Sequence, residues 1–176
     1  AKEAKQLGSE GWLTLETVAT PRTPQVSKAP AWLVAEVGLT VVTDVDDTIK
    51  DTRILDKPQR DANTFVNRFQ AVEGMPELYR GWQQALGAQI HFHVVSAGPW
   101  QLHGPIRAFA EEAGFPPFTW DMRSMKITDA RGAREVLDDE WAAQRREDHK
   151  VRTIQAFMKR FPRRHVVLVG DSGERD

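Results

Sequence analysis

The chain has 176 residues, 40% hydrophobic and 28% charged, with 24 Lys and Arg against 25 Asp and Glu, so its formal net charge is −1. That is one domain's length with enough apolar material for a real core, and the near-neutral balance argues against a dedicated nucleic-acid binder, whose footprint is strongly basic. With no cysteine, disulfides, zinc–thiolate sites and a cysteine nucleophile are excluded; no apolar run approaches the ~20 residues of a membrane span, and the opening AKEAKQLGSEGW lacks an apolar signal-peptide core.

The first 36 residues read as an appendage to a core that begins at residue 37. Trp12, Leu13, Leu15 and Val18 predict a short strand, which Pro21-Arg22-Thr23-Pro24 breaks. Leu39 to Thr43 is a β-branched run ending in acids, the pattern of a strand buried on both faces of a parallel sheet. Asp51 to Arg60 is polar and short on apolar residues. Pro76 to Leu86 predicts a helix closed by Gly87. A second strand, Ile90 to Val95, ends at Ser96-Ala97-Gly98, and Leu102, Ile106, Phe109 and Ala110 then mark one helix face. Phe118 to Met122 is a third strand. Residues 123–148 read as a loop followed by a surface helix, continuing into the helix marked by Val151, Ile154, Phe157, Met158 and Phe161. The fourth strand, Val166 to Val169, ends at Gly170-Asp171. Strands alternating with helices imply an α/β fold, a three-layer, Rossmann-like parallel sheet with helices on both faces.

In open α/β sheets, ligands sit at the carboxyl ends of the strands. That rule selects Asp44-Val45-Asp46-Asp47-Thr48, Ser96-Ala97-Gly98, the end of the third strand, and Gly170-Asp171-Ser172-Gly173. Acids and small hydroxyl-bearing loops suit a hard cation and a phosphate. Of Asp44 and Asp46, one can attack phosphorus and the other can protonate the leaving oxygen. Asp171 would complete an oxygen-rich Mg2+ site, Lys150 would neutralise charge, and Ser96 with the amides of Ala97 and Gly98 could bind phosphoryl oxygens. The spacing does not fit a calcium loop, since Ile49 and Leu55 fall where its glycine and bidentate acid belong.

These motifs resemble those of the haloacid dehalogenase superfamily of phosphohydrolases, from about Leu39 to Asp176. The resemblance implies Asp44 as nucleophile, Asp46 as acid/base and Thr48 as support for the motif loop, with Ser96, Lys150 and the Gly170–Asp176 stretch as the remaining motifs. It implies magnesium held by the Asp44 carboxylate, the Asp46 carbonyl and Asp171, with Asp176 assisting. More narrowly, Thr43 to Lys50, Val95 to Leu102, His149-Lys150 and Gly170 to Gly173 resemble the actin-patch phosphatidate phosphatase family, which shares its catalytic motif with the lipins. The implied reaction is Mg2+-dependent hydrolysis of phosphatidate to diacylglycerol and phosphate. Superfamily resemblance also makes Asp51 to Arg60 a small flap, with no room for a large cap domain. Such folds continue past the fourth motif, so a core spanning 37–176 is expected to be cut short at its C-terminus.

His91 and His93 share a strand face but lack a third ligand nearby, which favours a structural role. Lys159, Arg160, Arg163 and Arg164 form a basic helix end that could face an anionic membrane or solvent alike. Trp100, beside the serine motif, is the residue expected to touch a lipid or membrane surface. The expected partners are phosphatidate or a related lipid phosphate, with peripheral membrane contact, no nucleic acid and a cytoplasmic location; the oligomeric state is open. Two other functions compete: a phosphatase for a soluble phosphomonoester, and a catalytically silent domain that senses phosphatidate.

Overall fold

The structure, a computed structural model, describes residues 12–21, 23–53, 55–124 and 139–172. The chain divides into two compact units, residues 1–36 and 37–176. In the first, β1 (Trp12–Glu16) and β2 (Lys28–Trp32) pair antiparallel from Trp12↔Trp32 to Glu16↔Lys28. The second strand escapes a sequence reading because Pro30 interrupts it, and proline is tolerated where a strand's N–H is not needed by the ladder.

The second unit contains β3 (Gly38–Thr43), α1 (Lys57–Phe65), α2 (Met75–Leu86), β4 (Ile90–Pro99), α3 (His103–Glu112), β5 (Phe118–Arg123), α4 (Asp139–Arg160) and β6 (Arg164–Val169). Its sheet has four parallel strands in the order β5-β4-β3-β6. The helix starts follow from local chemistry. Asp56 caps α1 by accepting the Gln59 N–H at 3.2 Å, and Pro58 occupies the first turn, where no donor is missed. Gly74, at φ 80°, turns the chain into α2, and Gly87, at φ 53°, turns it out. The polar stretch after the first motif therefore includes a helix that its composition did not announce.

Side chains alternate along the strands and select different helices on the two faces. Val41, Phe92, Val94 and Phe118 pack with Tyr79 of α2 and with Ile106, Phe109 and Ala110 of α3. The intervening His91 and His93 stack on Phe157 of α4, with centroids 6.0 and 5.1 Å away. Helices thus cover both faces, as expected for a doubly wound α/β sheet. The Thr119 hydroxyl lies 2.8 Å from His91 Nε2 and 2.8 Å from His93 Nδ1. These contacts make the two imidazoles part of the packed layer between β4, β5 and α4.

Arg164 pins the opposite, N-terminal edge of the sheet. Its buried guanidinium donates to Thr40 Oγ1 at 2.8 Å and to the carbonyls of Val37 at 2.8 Å, Gln89 at 3.1 Å and Leu39. Gly38 beside it has φ 132°, and a Cβ there would lie 2.4 Å from the Gln89 oxygen. Arg164 is therefore turned into the fold, away from the exposed Lys159, Arg160 and Arg163. Arg164→Met should destabilise the domain by about 3 kcal/mol, because several buried acceptors lose their donor at once. A urea midpoint close to that of the parent would contradict this role.

Candidate active site

The strand order places the site. From β3 the chain steps to β4 and then β5 on one side, and returns to β6 on the other. The order reverses at β3, and the crevice at the carboxyl end of such a strand is where open α/β sheets bind ligands. Asp44 is the first residue after β3, and its N–H donates to the Val169 carbonyl at 3.1 Å. β4, carrying Ser96, flanks it on one side, and β6, leading to Asp171, on the other.

Lys150 reaches this crevice from α4. Its Nζ lies 3.2 Å from Asp44 Oδ2, with both side chains 8% exposed. Burying two charges is costly, and here each lies beside its opposite, so removing either one is expected to destabilise the fold. Asp44, Lys150 and Asp171 line one cleft of about 370 Å3, together with Glu147. Glu147, Lys150, Val151 and Ile154 recur at i, i+3, i+4 and i+7 and so share a helix face. A sequence reading left Glu147 on a surface helix; its position one turn before Lys150 was the available signal.

The motif loop is built from the backbone outward. Val45 and Ile49, both fully buried, anchor it in the core, and the Val45 carbonyl accepts from the N–H groups of Ile49 and Lys50 at 3.1 and 3.0 Å. Asp47, at φ 53°, accepts from the N–H groups of Thr52 and Arg53 at 2.7 and 2.6 Å, which closes the turn after the motif. Asp46 accepts from Thr52 Oγ1 at 2.6 Å. Thr48 is buried, and its hydroxyl meets no hydrogen-bond partner among the described residues. From the core side, the Tyr79 hydroxyl donates to Thr43 Oγ1 at 2.8 Å, and Thr43 donates to the Asp44 carbonyl at 3.0 Å. Burial pushes the Tyr79 phenol up to about 12, so this chain of donors stays protonated at any working pH. The Tyr79 hydroxyl and the turn-closing role of Asp47 within its motif are not marked by any local sequence signal.

Ser96 is buried, and its Oγ accepts the Gly98 N–H at 3.1 Å. The β4–β5 pairing is irregular between Ser96 and Pro99, a bulge of the kind that re-aims backbone beside a site. A Cβ on Gly98 would sit 3.2 Å from the Ser96 hydroxyl, so the tight loop favours glycine. Ser96, Ala97 and Gly98 lie on the strand next to Asp44 and are not part of the cleft lining that holds Lys150 and Asp171. Burial lowers the His149 pKa, and this imidazole is hydrogen-bonded to the Ser96 backbone. Trp100, 49% exposed, stacks on His103 with centroids 4.8 Å apart and planes 5° from parallel.

The donors facing this cleft are carboxylate oxygens, the chemistry that suits Mg2+, which is commonly held by one or two carboxylates with waters and substrate phosphate filling its shell. Asp44 and Asp171 meet that need. Among the described residues no three His, Asp or Glu side chains converge as a metal cluster. Asp176, the fourth ligand expected from sequence, lies outside the described residues, as do Gly173, Glu174 and Arg175.

Fold and site together define a doubly wound α/β domain whose topological switch point carries Asp44 paired with a buried lysine, with Asp171 in the same cleft. Comparison with known proteins gives the particular kind. The chain belongs to the family of the phosphatidate phosphatase APP1 catalytic domain, whose profile matches residues 39–176. It is 27% identical over 175 residues to the phosphatidate phosphatase APP1 of Saccharomyces cerevisiae, covering 93% of this chain and 27% of that protein. It is 28% identical over 142 residues to an uncharacterized protein of Schizosaccharomyces pombe, covering 79% of this chain and 22% of that one. The chain thus spans about a quarter of the length of the curated relatives it matches. No solved structure matches it. The family is the one the motifs resemble. No described helix is long and apolar enough to cross a membrane.

Proposed function

We propose that this chain is the catalytic portion of a Mg2+-dependent phosphatidate phosphatase that works through an aspartyl phosphate on Asp44. The observation that carries the mechanism is the buried Asp44–Lys150 pair at the switch point, with Asp171 in the same cleft. The substrate class rests on membership of the family.

In the first step an Asp44 carboxylate oxygen attacks phosphorus. The bond from phosphorus to the glycerol oxygen breaks, and that oxygen takes a proton from the Asp46 carboxyl and leaves as diacylglycerol. In the second, Asp46, now a carboxylate, accepts a proton from the water that attacks phosphorus. The bond from phosphorus to the Asp44 oxygen breaks, inorganic phosphate departs, and both acids return to their starting forms. Lys150 offsets negative charge on Asp44 and on the phosphoryl oxygens through both steps. Ser96 and the Ala97 amide serve as phosphoryl hydrogen-bond donors at the neighbouring strand end, with Gly98, whose N–H donates to Ser96 Oγ, shaping the loop, and Thr48 supports the loop that carries both acids. Asp44, the Asp46 carbonyl and Asp171 would hold Mg2+, with Asp176 assisting. When bound, the metal supplies positive charge that offsets the carboxylates and the phosphate. Trp100, half-exposed on the same edge of the sheet, supplies apolar contact with the lipid or the membrane surface.

The test is phosphate release from phosphatidate in mixed micelles, with and without Mg2+, alongside glycerol 3-phosphate. Turnover of phosphatidate that requires Mg2+ is the expected result. Turnover of the soluble ester with none of the lipid would replace the substrate, and lipid binding without turnover would favour the silent sensor.

A further inference from the structure

Lys50 follows the motif loop in a polar stretch, where a lysine ordinarily stays solvated. Here it is only 1% exposed. Its ammonium lies 2.7 Å from Thr52 Oγ1, 3.3 Å from Asp46 Oδ1 and 4.9 Å from the centre of the Phe69 ring. Thr52, also 1% exposed, donates its own hydroxyl proton to the same Asp46 Oδ1 at 2.6 Å. Burying an ammonium is costly unless it is paired and hydrogen-bonded. An apolar side chain could fill the slot over Phe69 without that cost, so folding alone gives little reason for a lysine there.

We infer that Lys50 and Thr52 are positioning residues that clamp Oδ1 of Asp46 and thereby reserve its other oxygen, Oδ2, for the proton passed to the leaving group. The inference rests on the acid–base reading of Asp46 above. Both donors converge on Oδ1, and Oδ2 has no hydrogen-bond partner among the described residues. An oxygen that accepts from an ammonium and a hydroxyl cannot readily carry a proton as well, so the proton of the neutral acid resides on Oδ2. The clamp also holds the carboxyl in one rotamer, removing the side-chain freedom that would otherwise be lost on reaching the transition state. In the transfer, the Oδ2–H bond breaks as the alcohol O–H bond forms, and the electron pair stays on the carboxylate that Lys50 and Thr52 already hold.

A general acid matters most for a poor leaving group, so the test varies the leaving group. kcat/KM is measured over phosphate monoesters from p-nitrophenyl phosphate to a simple alkyl phosphate, with thermal unfolding followed in parallel. For Lys50→Met and Thr52→Val the alkyl ester should lose about 100-fold while the nitrophenyl ester loses about tenfold or less, steepening the leaving-group dependence. Thr52→Ser, which keeps the hydroxyl, should restore the parental slope. If Lys50→Met does not fold, Thr52→Val decides alone. Asp46→Asn separates the two levels. A steep slope for Asp46→Asn with parental slopes for Thr52→Val and a folded Lys50→Met overturns the clamp and leaves the acid standing. A parental slope for Asp46→Asn overturns the acid and the clamp together.

Discussion

Asp44→Asn should reduce phosphate release by about a thousandfold or more, since losing a nucleophile removes the covalent route altogether. Asparagine has nearly the shape of aspartate, but its amide oxygen is a poor nucleophile and carries no charge. The substitution also leaves Lys150 buried beside a neutral group, so lost stability has to be separated from lost chemistry. The double variant Asp44→Asn/Lys150→Met separates them. Lys150→Met alone removes the ammonium beside the buried Asp44 carboxylate and should cost about 3 kcal/mol, whereas removing both charges should recover most of that loss while activity stays absent. Recovery of turnover along with stability would mean that Asp44 had only a structural role.

The second large effect concerns acid stability. Burial pushes His91 down to about 3, with the Arg164 guanidinium, and His93 once it is protonated, adding to the effect. Burial likewise pushes His93 down to about 4, against a weaker opposing pull from Asp121. Both imidazoles are neutral in the fold, while in the unfolded chain each takes up a proton near pH 6.5. Below that pH the unfolded state binds more protons, so stability present above pH 6.5 is lost as the pH falls toward 4. At pH 5 each histidine should remove about 2 kcal/mol relative to neutral pH. Replacing the pair by His91→Gln and His93→Asn keeps polar groups toward Thr119 and removes both titrations. Urea unfolding at pH 7 and pH 5 should show the parent losing about 4 kcal/mol more than the double variant. Equal losses would mean that the imidazoles are not held neutral.

Which parts of this molecule could be read from sequence follows from what each part depends on. β3, β4 and β6 announce themselves as mainly apolar, β-branched runs, and acid or glycine directly follows β3 and β6, whereas β4 continues past Ser96-Ala97-Gly98 to Pro99. Asp44 and Asp171 were legible together because the doubly wound fold sends every strand's carboxyl end to one edge, and Lys150 because it lies on the helix that precedes β6. The order β5-β4-β3-β6 was not written in any segment, since it arises from which strand edges pair after the helices have packed. α1 hid in a polar stretch because capping by Asp56 and the proline start form it, with few apolar residues to mark a face. Lys50 hid for a related reason. Nothing local distinguishes it from a solvated lysine until Phe69 closes over it, and Phe69 is itself held edge-on against Phe109, 5.9 Å away. Tyr79 looked like one more apolar helix position, and only the register of α2 against β3 brings its hydroxyl to Thr43.

The central claim is that phosphorus becomes bonded to Asp44 during turnover. The most direct measurement is to quench the protein with borohydride during steady-state hydrolysis of phosphatidate in the presence of Mg2+, then sequence the peptide spanning the motif by mass spectrometry. An acyl phosphate is reduced to the alcohol, so position 44 should appear as homoserine only when substrate is present, with position 46 unchanged. Full turnover with Asp44 recovered intact, or homoserine at position 46 instead, would contradict the mechanism.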